Sequence, residues 1–217
     1  MDERWIKKTK GKTTKECWDL LYDQQIKVKP EGKSVWLPNG NIYAHSGKLV
    51  EQLPLLFKEF NIKTFVDVGC SDFYWQINVD WSGVDYLGID IVKKIVNENK
   101  KNHPEFKFEH RNLIEDDCPK ADMIFVRNVF LHTSLSECLK MIYNIKMSGS
   151  KYLMASNTDA VKENMETSNI WVVRRNLNLY PFNFPSPIKV VPEMKDKENP
   201  SIAGKNNYMN IWEIDKL

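Results

Sequence analysis

The chain has 217 residues, 42% hydrophobic and 28% charged, an ordinary globular composition with room for one domain and a small appendage. Lys and Arg number 31 against 29 Asp and Glu, a formal net charge of +2, which gives no strong electrostatic case for a nucleic acid or a membrane surface as partner, and nucleic acid is not the expected one. No apolar stretch approaches the roughly 20 residues of a membrane-crossing helix, and the charged opening residues carry no secretory pattern.

The four cysteines, Cys17, Cys70, Cys118 and Cys138, are dispersed, without a CxxC pair or metal-ligand spacing. The expectation is a cytoplasmic protein with free thiols and no metal. Residues 1–45 read as an N-terminal appendage or lid, and 46–217 as the main domain. The lysines Lys7, Lys8, Lys10, Lys12 and Lys15 read as a solvated arm. Thr13-Thr14-Lys15-Glu16 starts a predicted helix through Cys17, Leu20 and Leu21, and Gly32, Pro38, Asn39 and Gly40 break regular structure after it. From Gly47 to Phe60, Leu49, Leu53, Leu56 and Phe57 share one helical face.

From Lys63 the pattern changes. Thr64–Val68 is a short apolar run that reads as a buried parallel strand. Tyr86–Asp90 is a second, followed by a helix from Val92 to Lys101. Phe106–His110, Asp122–Val126 and Lys151–Ala155 are three more strands, and Leu135–Ile145 is helical between the last two. Strands alternating with helices predict a mostly parallel sheet covered on both faces. Beyond Ser156 the alternation stops. Pro181, Pro185, Pro187 and Pro192 crowd a stretch with Trp171, Tyr180, Phe182 and Phe184, which reads as an acceptor-side lid or pocket wall, not a helix. Ile188–Val191 and Tyr208–Ile214 read as two closing strands.

The chemistry is expected at the carboxyl ends of the strands, where an open α/β sheet binds ligands. The first strand ends in Asp67-Val68-Gly69-Cys70-Ser71-Asp72. A glycine there lets backbone approach a ligand closely. Asp90, at the end of the second strand and about 20 residues past the turn, is placed to bind ribose hydroxyls. The dinucleotide signature GxGxxG is missing, so a cofactor with ribose but no pyrophosphate suits the turn. Either acid alone could simply cap a helix.

These residues resemble the class I S-adenosylmethionine-dependent methyltransferases, whose first motif is an acid-x-Gly-x-Gly turn. Here it is Asp67-Val68-Gly69-Cys70-Ser71, with Ser71 in place of the second glycine. The resemblance spans about residues 47–157. It implies a Rossmann-like fold with a mostly parallel seven-stranded sheet, helices on both faces and an antiparallel last strand. Asp67 and Gly69 would face the methionine part of the cofactor, with Cys70 and Ser71 completing the turn. Asp90 would take the ribose, Ile91 would pack on adenine, and Asn112 and Leu113 would hold the adenine amino group; Arg127 belongs to the same set. Ser71-Asp72-Phe73-Tyr74-Trp75, Arg127-Asn128 with His132, and Asn176–Pro185 resemble a narrower subgroup of small bacterial or viral methyltransferases, some found with surface-polysaccharide genes.

Methyl transfer to an alcohol needs alignment and removal of a proton, a task that suits histidine at neutral pH. His132, just past the fourth strand, is the first candidate base, and His45, on the N-terminal segment, the second. Asn128, Arg174, Arg175 and Phe182 are the candidate acceptor residues, the arginines as clamps for an anionic group. The leading expectation is O-methylation of a small molecule such as a sugar, nucleotide-sugar or glycan. Two alternatives stand beside it: an RNA or nucleotide methyltransferase gripping its substrate with the basic arm and Trp5 or Trp36, and a non-catalytic S-adenosylmethionine-binding module.

Overall fold

A computed structural model describes residues 3–28, 46–168, 170–192 and 207–217. In chain order the helices are α1 (Glu3–Thr9), α2 (Thr14–Val28), α3 (Gly47–Glu59), α4 (Lys93–Asn102) and α5 (Leu135–Met147). The strands are β1 (Thr64–Val68), β2 (Asp85–Asp90), β3 (Lys107–His110), β4 (Met123–Val126), β5 (Tyr152–Thr158), β6 (Lys189–Pro192) and β7 (Asn207–Glu213). They form one seven-stranded sheet in the order β3-β2-β1-β4-β5-β7-β6. The first five positions are parallel, and β7 runs antiparallel between β5 and β6. The predicted fold class holds in each of these particulars.

The period-2 alternation of β1 divides the core. Phe65 points to one face, where Leu49, Leu53, Leu56 and Phe57 of α3 meet Val96 of α4. Val66 and Val68 point to the other, where Cys138, Met141, Ile142 and Ile145 of α5 pack. Burying side chains of this size contributes about 1.5–3 kcal/mol each. α5 starts in a reciprocal capping box: Ser134 accepts from the Glu137 amide, and the Glu137 carboxylate accepts from the Ser134 amide.

Two predicted boundaries move by three residues or more. β5 continues past Ala155 to Thr158, because β7 pairs with the polar residues Ser156, Asn157 and Thr158 as well. α2 runs past Leu21 to Val28.

The proline-rich stretch also departs from expectation. Leu177, Phe182 and Phe184 are buried in the α5-side core, and Trp212 of β7 donates from Nε1 to the Pro185 carbonyl at 2.8 Å. Leu177, Phe182 and Phe184 thus anchor residues 176–185 to the core, and none of these residues lines the cavity described below. Among the described residues, no helix is long and apolar enough to cross a membrane.

Candidate functional site

Register brings the site together. Val68 lies beside Ile89 of β2 on one side and Val126 of β4 on the other. The next residues, Gly69, Asp90 and Arg127, therefore leave the sheet at one level. All three line a cavity of about 390 Å³ at the carboxyl ends of the strands. This lies within the roughly 300–1,000 Å³ of small-molecule sites.

The turn after β1 is held from every side. The amides of Gly69 and Cys70 donate to the Ile89 carbonyl at 2.8 and 3.1 Å. Gly69 has φ +72°, and a Cβ there would sit 2.6 Å from Val129, so only glycine fits. Ser71 and Phe73 also take left-handed φ, +55° and +52°, which costs a side-chain-bearing residue about 1–3 kcal/mol and persists only when neighbours fix it. They are fixed. Asn99 of α4 donates to the Ser71 carbonyl at 2.6 Å. Phe73 is fully buried in a cage formed by Tyr86, His103, Phe106 and Phe108. The turn thus keeps its left-handed shape with serine at the second glycine position.

Asp67 and Asp90 are both buried acids in this cavity. Burial raises each to about 6. For Asp67, hydrogen bonds from Gln76 and Tyr86 and the charge of Arg127 oppose the rise. Both donors, Gln76 Nε2 at 2.9 Å and the Tyr86 hydroxyl at 2.8 Å, fall on Oδ2, which directs the remaining acceptor capacity of the carboxylate to Oδ1. The two oxygens of Asp90 each take one backbone amide, Ser71 at 3.0 Å and Val92 at 2.9 Å. A carboxylate oxygen accepts more than one hydrogen bond, so Asp90 keeps one acceptor site on each oxygen, the pattern a pair of vicinal hydroxyls requires. Arg127 stacks 5.3 Å above the Trp75 ring.

His132 lies across the same cavity, in a short 3-10 turn between β4 and α5. Its Nδ1 is 2.9 Å from the Ile170 carbonyl. A carbonyl only accepts, so Nδ1 carries the proton and the neutral ring leaves Nε2 with its lone pair. Burial lowers its pKa from the usual 6.5, against the hydrogen bond to Ile170. Asn128, also lining the cavity, holds φ +58° with its amide on Ser156 Oγ at 2.9 Å.

The structure brings Asp67, Gly69, Cys70, Ser71, Asp90, Ile91, Arg127, Asn128 and His132 into one cavity. It does not bring the other candidates there. Asn112 caps the turn after β3, accepting from the Ile114 amide, and Leu113 is buried in the α5-side core. Phe182 is a core residue, as above. Arg175 is buried and donates to the Phe130, Met165 and Thr133 carbonyls, so its guanidinium is committed and cannot clamp an anion. Arg174 is outside the cavity lining. His45 and Trp36 lie outside the described residues. Sequence reasoning missed Gln76, Tyr86 and Asn99, buried polar groups that hold the turn, and Trp18 and Leu21 of α2, which line the cavity. For Tyr86 and Asn99 the signal was a polar group inside an otherwise apolar strand or helix face.

No protein-family model matches the sequence, and no curated protein does. Solved structures do. A TehB-like SAM-dependent methyltransferase from Corynebacterium glutamicum is 14% identical with a TM-score of 0.58, the match covering 90% of this chain and 97% of that one. Magnesium protoporphyrin IX methyltransferase from Synechocystis with bound SAH is 14% identical, TM-score 0.59, over 90% and 91% of the two chains. The N-methyltransferase NodS from Bradyrhizobium japonicum is 9% identical, TM-score 0.55, over 77% and 94%. At these identities the likeness is one of fold, and the fold is the Rossmann-like one of class I methyltransferases.

Proposed function

We propose that this chain is an S-adenosylmethionine-dependent methyltransferase that methylates a hydroxyl of a small molecule. The observation that carries the reading is the pairing, in one cavity, of a ribose-type acid, Asp90, with a neutral histidine, His132, whose Nδ1 is committed and whose Nε2 is free to take a proton.

The residues present fit the cofactor. Gly69, at φ +72°, presents backbone without a side chain to the cavity. Asp90 would hold the ribose hydroxyls, Asp67 Oδ1 the amino group of the methionine part, and Ile91 the adenine. S-adenosylmethionine, when bound, supplies a sulfonium methyl group open to in-line attack. The chain's own task is to orient the acceptor, exclude water and remove the hydroxyl proton. His132 Nε2 accepts that proton, and the Ile170 carbonyl stabilises the imidazolium through Nδ1–H. Asn128 is a candidate for acceptor contact.

The acceptor class follows from the likeness of Asp72–Trp75 and Asn176–Pro185 to the subgroup named above: a sugar, nucleotide-sugar or glycan. The test is a methyl-transfer screen over nucleotide-sugars and glycans, with products read by mass and their methyl position by fragmentation. Transfer to oxygen supports the proposal. Transfer confined to nitrogen acceptors contradicts it.

A further inference from the structure

The N-terminal helix α2 is docked across the cavity by contacts far apart in sequence. Thr14 Oγ1 donates to Glu137 Oε1 at 2.7 Å, at the start of α5 and five residues past His132. At the other end, the Tyr22 hydroxyl donates to Glu98 of α4 at 2.7 Å, and its ring is fully buried with Val92 and Ile95. Cys17, one residue before Trp18, is also fully buried. Trp18 sits between the two anchors. It packs in the same apolar cluster as Ile91 and lines the cavity, and its ring meets the His132 imidazole edge-on, with centroids 5.1 Å apart and planes at 80°.

We propose that Trp18 is a positioning residue for His132, so that α2 is a working part of the acceptor site. A single hydrogen bond to Ile170 holds the ring orientation only weakly, because rotation about the Cβ–Cγ bond of histidine is soft and roughly two-fold. An indole packed at 80° against the ring blocks the swing that would trade Nδ1 for the carbon edge. The same indole packs on the apolar cluster that also carries Ile91, the residue assigned to the adenine. The arrangement places Nε2 toward the acceptor and keeps Nδ1 on the Ile170 carbonyl.

The proposal rests on the reading of His132 as the base, and its test does not require the acceptor. The chain has four histidines, so ring-labelled histidine gives few nitrogen resonances, and His132→Asn assigns the one that matters. In the wild type that resonance is expected to report a single tautomer with the proton on Nδ1. Trp18→Ala and Trp18→Leu should lose this signature and show exchange between tautomers, while Trp18→Phe, which restores an aromatic edge, should recover it. The leucine variant keeps apolar volume in the cluster and serves if the alanine variant does not fold. A wild-type tautomer pattern in folded Trp18→Leu overturns the proposal. Turnover of His132→Asn is read separately: full turnover there removes the base reading, whereas the tautomer pattern judges Trp18 alone.

Discussion

The turn from Gly69 to Phe73 and the segment from Phe130 to Ser134 both border the cavity, but they are held in different ways. The turn is fixed by neighbours in sequence: Ser71 bonds to Asp90 and Asn99, 19 and 28 residues away. The His132 segment has local bonds, the Ser134–Glu137 capping box and Cys138 Sγ on the Phe130 and Thr133 carbonyls, but it is tied from afar as well. Arg175 binds the Phe130 and Thr133 carbonyls from 45 and 42 residues away, His132 binds Ile170 from 38, and Thr14 reaches Glu137 from 123. The Val173 amide also donates a hydrogen bond to the Leu131 carbonyl at 2.7 Å. A binding turn can be built within one βαβ unit, whereas the proposed proton acceptor is also held by elements that meet only when the whole chain has folded.

The largest effect should come from the far-held side. His132→Ala is expected to lower turnover by roughly 100- to 10,000-fold, the usual worth of general acid–base catalysis. His132→Asn should do little better, since an amide orients a hydroxyl without taking its proton. Steady-state kinetics on an acceptor found by the mass screen decides this; an asparagine variant that keeps most turnover makes His132 an orienting group only.

Arg175→Met should come next. It removes a buried guanidinium from three carbonyls, and hydrogen bonds from charged donors are worth about 1.5–3 kcal/mol each, less what the carbonyls recover. Urea unfolding should show a loss of about 2–4 kcal/mol. A loss below about 1 kcal/mol would mean that the segment is held by something else, and the contrast with the turn would weaken.

How much was legible in the sequence follows the same division. The seven strands, the turn and Asp90 were readable because short apolar runs and strand-end acids are local patterns. Arg175 was misread as an anion clamp and Phe182 as a pocket residue, since nothing local distinguishes a guanidinium facing carbonyls from one facing a ligand. Asn112 and Leu113 were placed by likeness alone, and the fold gives them a turn cap and a core position. Trp18 was invisible as a site residue because its partner is 114 positions on, a pairing that only α2 docking creates.

Acid should affect the turn side more gently. Asp67 and Asp90 are both raised to about 6, so both are mostly ionised at pH 7.5 and protonate as the pH falls through 6. Affinity for S-adenosylhomocysteine should be weaker at pH 5 than at pH 7.5 by roughly 10-fold if one ionised acid is required and by roughly 100-fold if both are. Burial lowers His132 from the usual 6.5, which favours the neutral ring at pH 7, so the acid limb of turnover at saturating cofactor should have its midpoint below pH 6.5. Affinity unchanged from pH 7.5 to 5 would show that neither acid carries the cofactor. The smallest effect is expected for Ser71→Gly. It relieves the left-handed strain at the cost of added chain entropy, so chemical denaturation should register a gain of under about 1 kcal/mol with cofactor affinity kept.

The division of labour between the two sides is tested most directly by calorimetric titration of S-adenosylhomocysteine into wild type, Asp90→Ala and His132→Asn. Asp90→Ala should bind roughly 10- to 100-fold more weakly, the loss of a charge-assisted bond to the ribose, while His132→Asn binds as wild type does. Equal affinity in wild type and a folded Asp90→Ala, or a weakening in His132→Asn as large as that in Asp90→Ala, would contradict it.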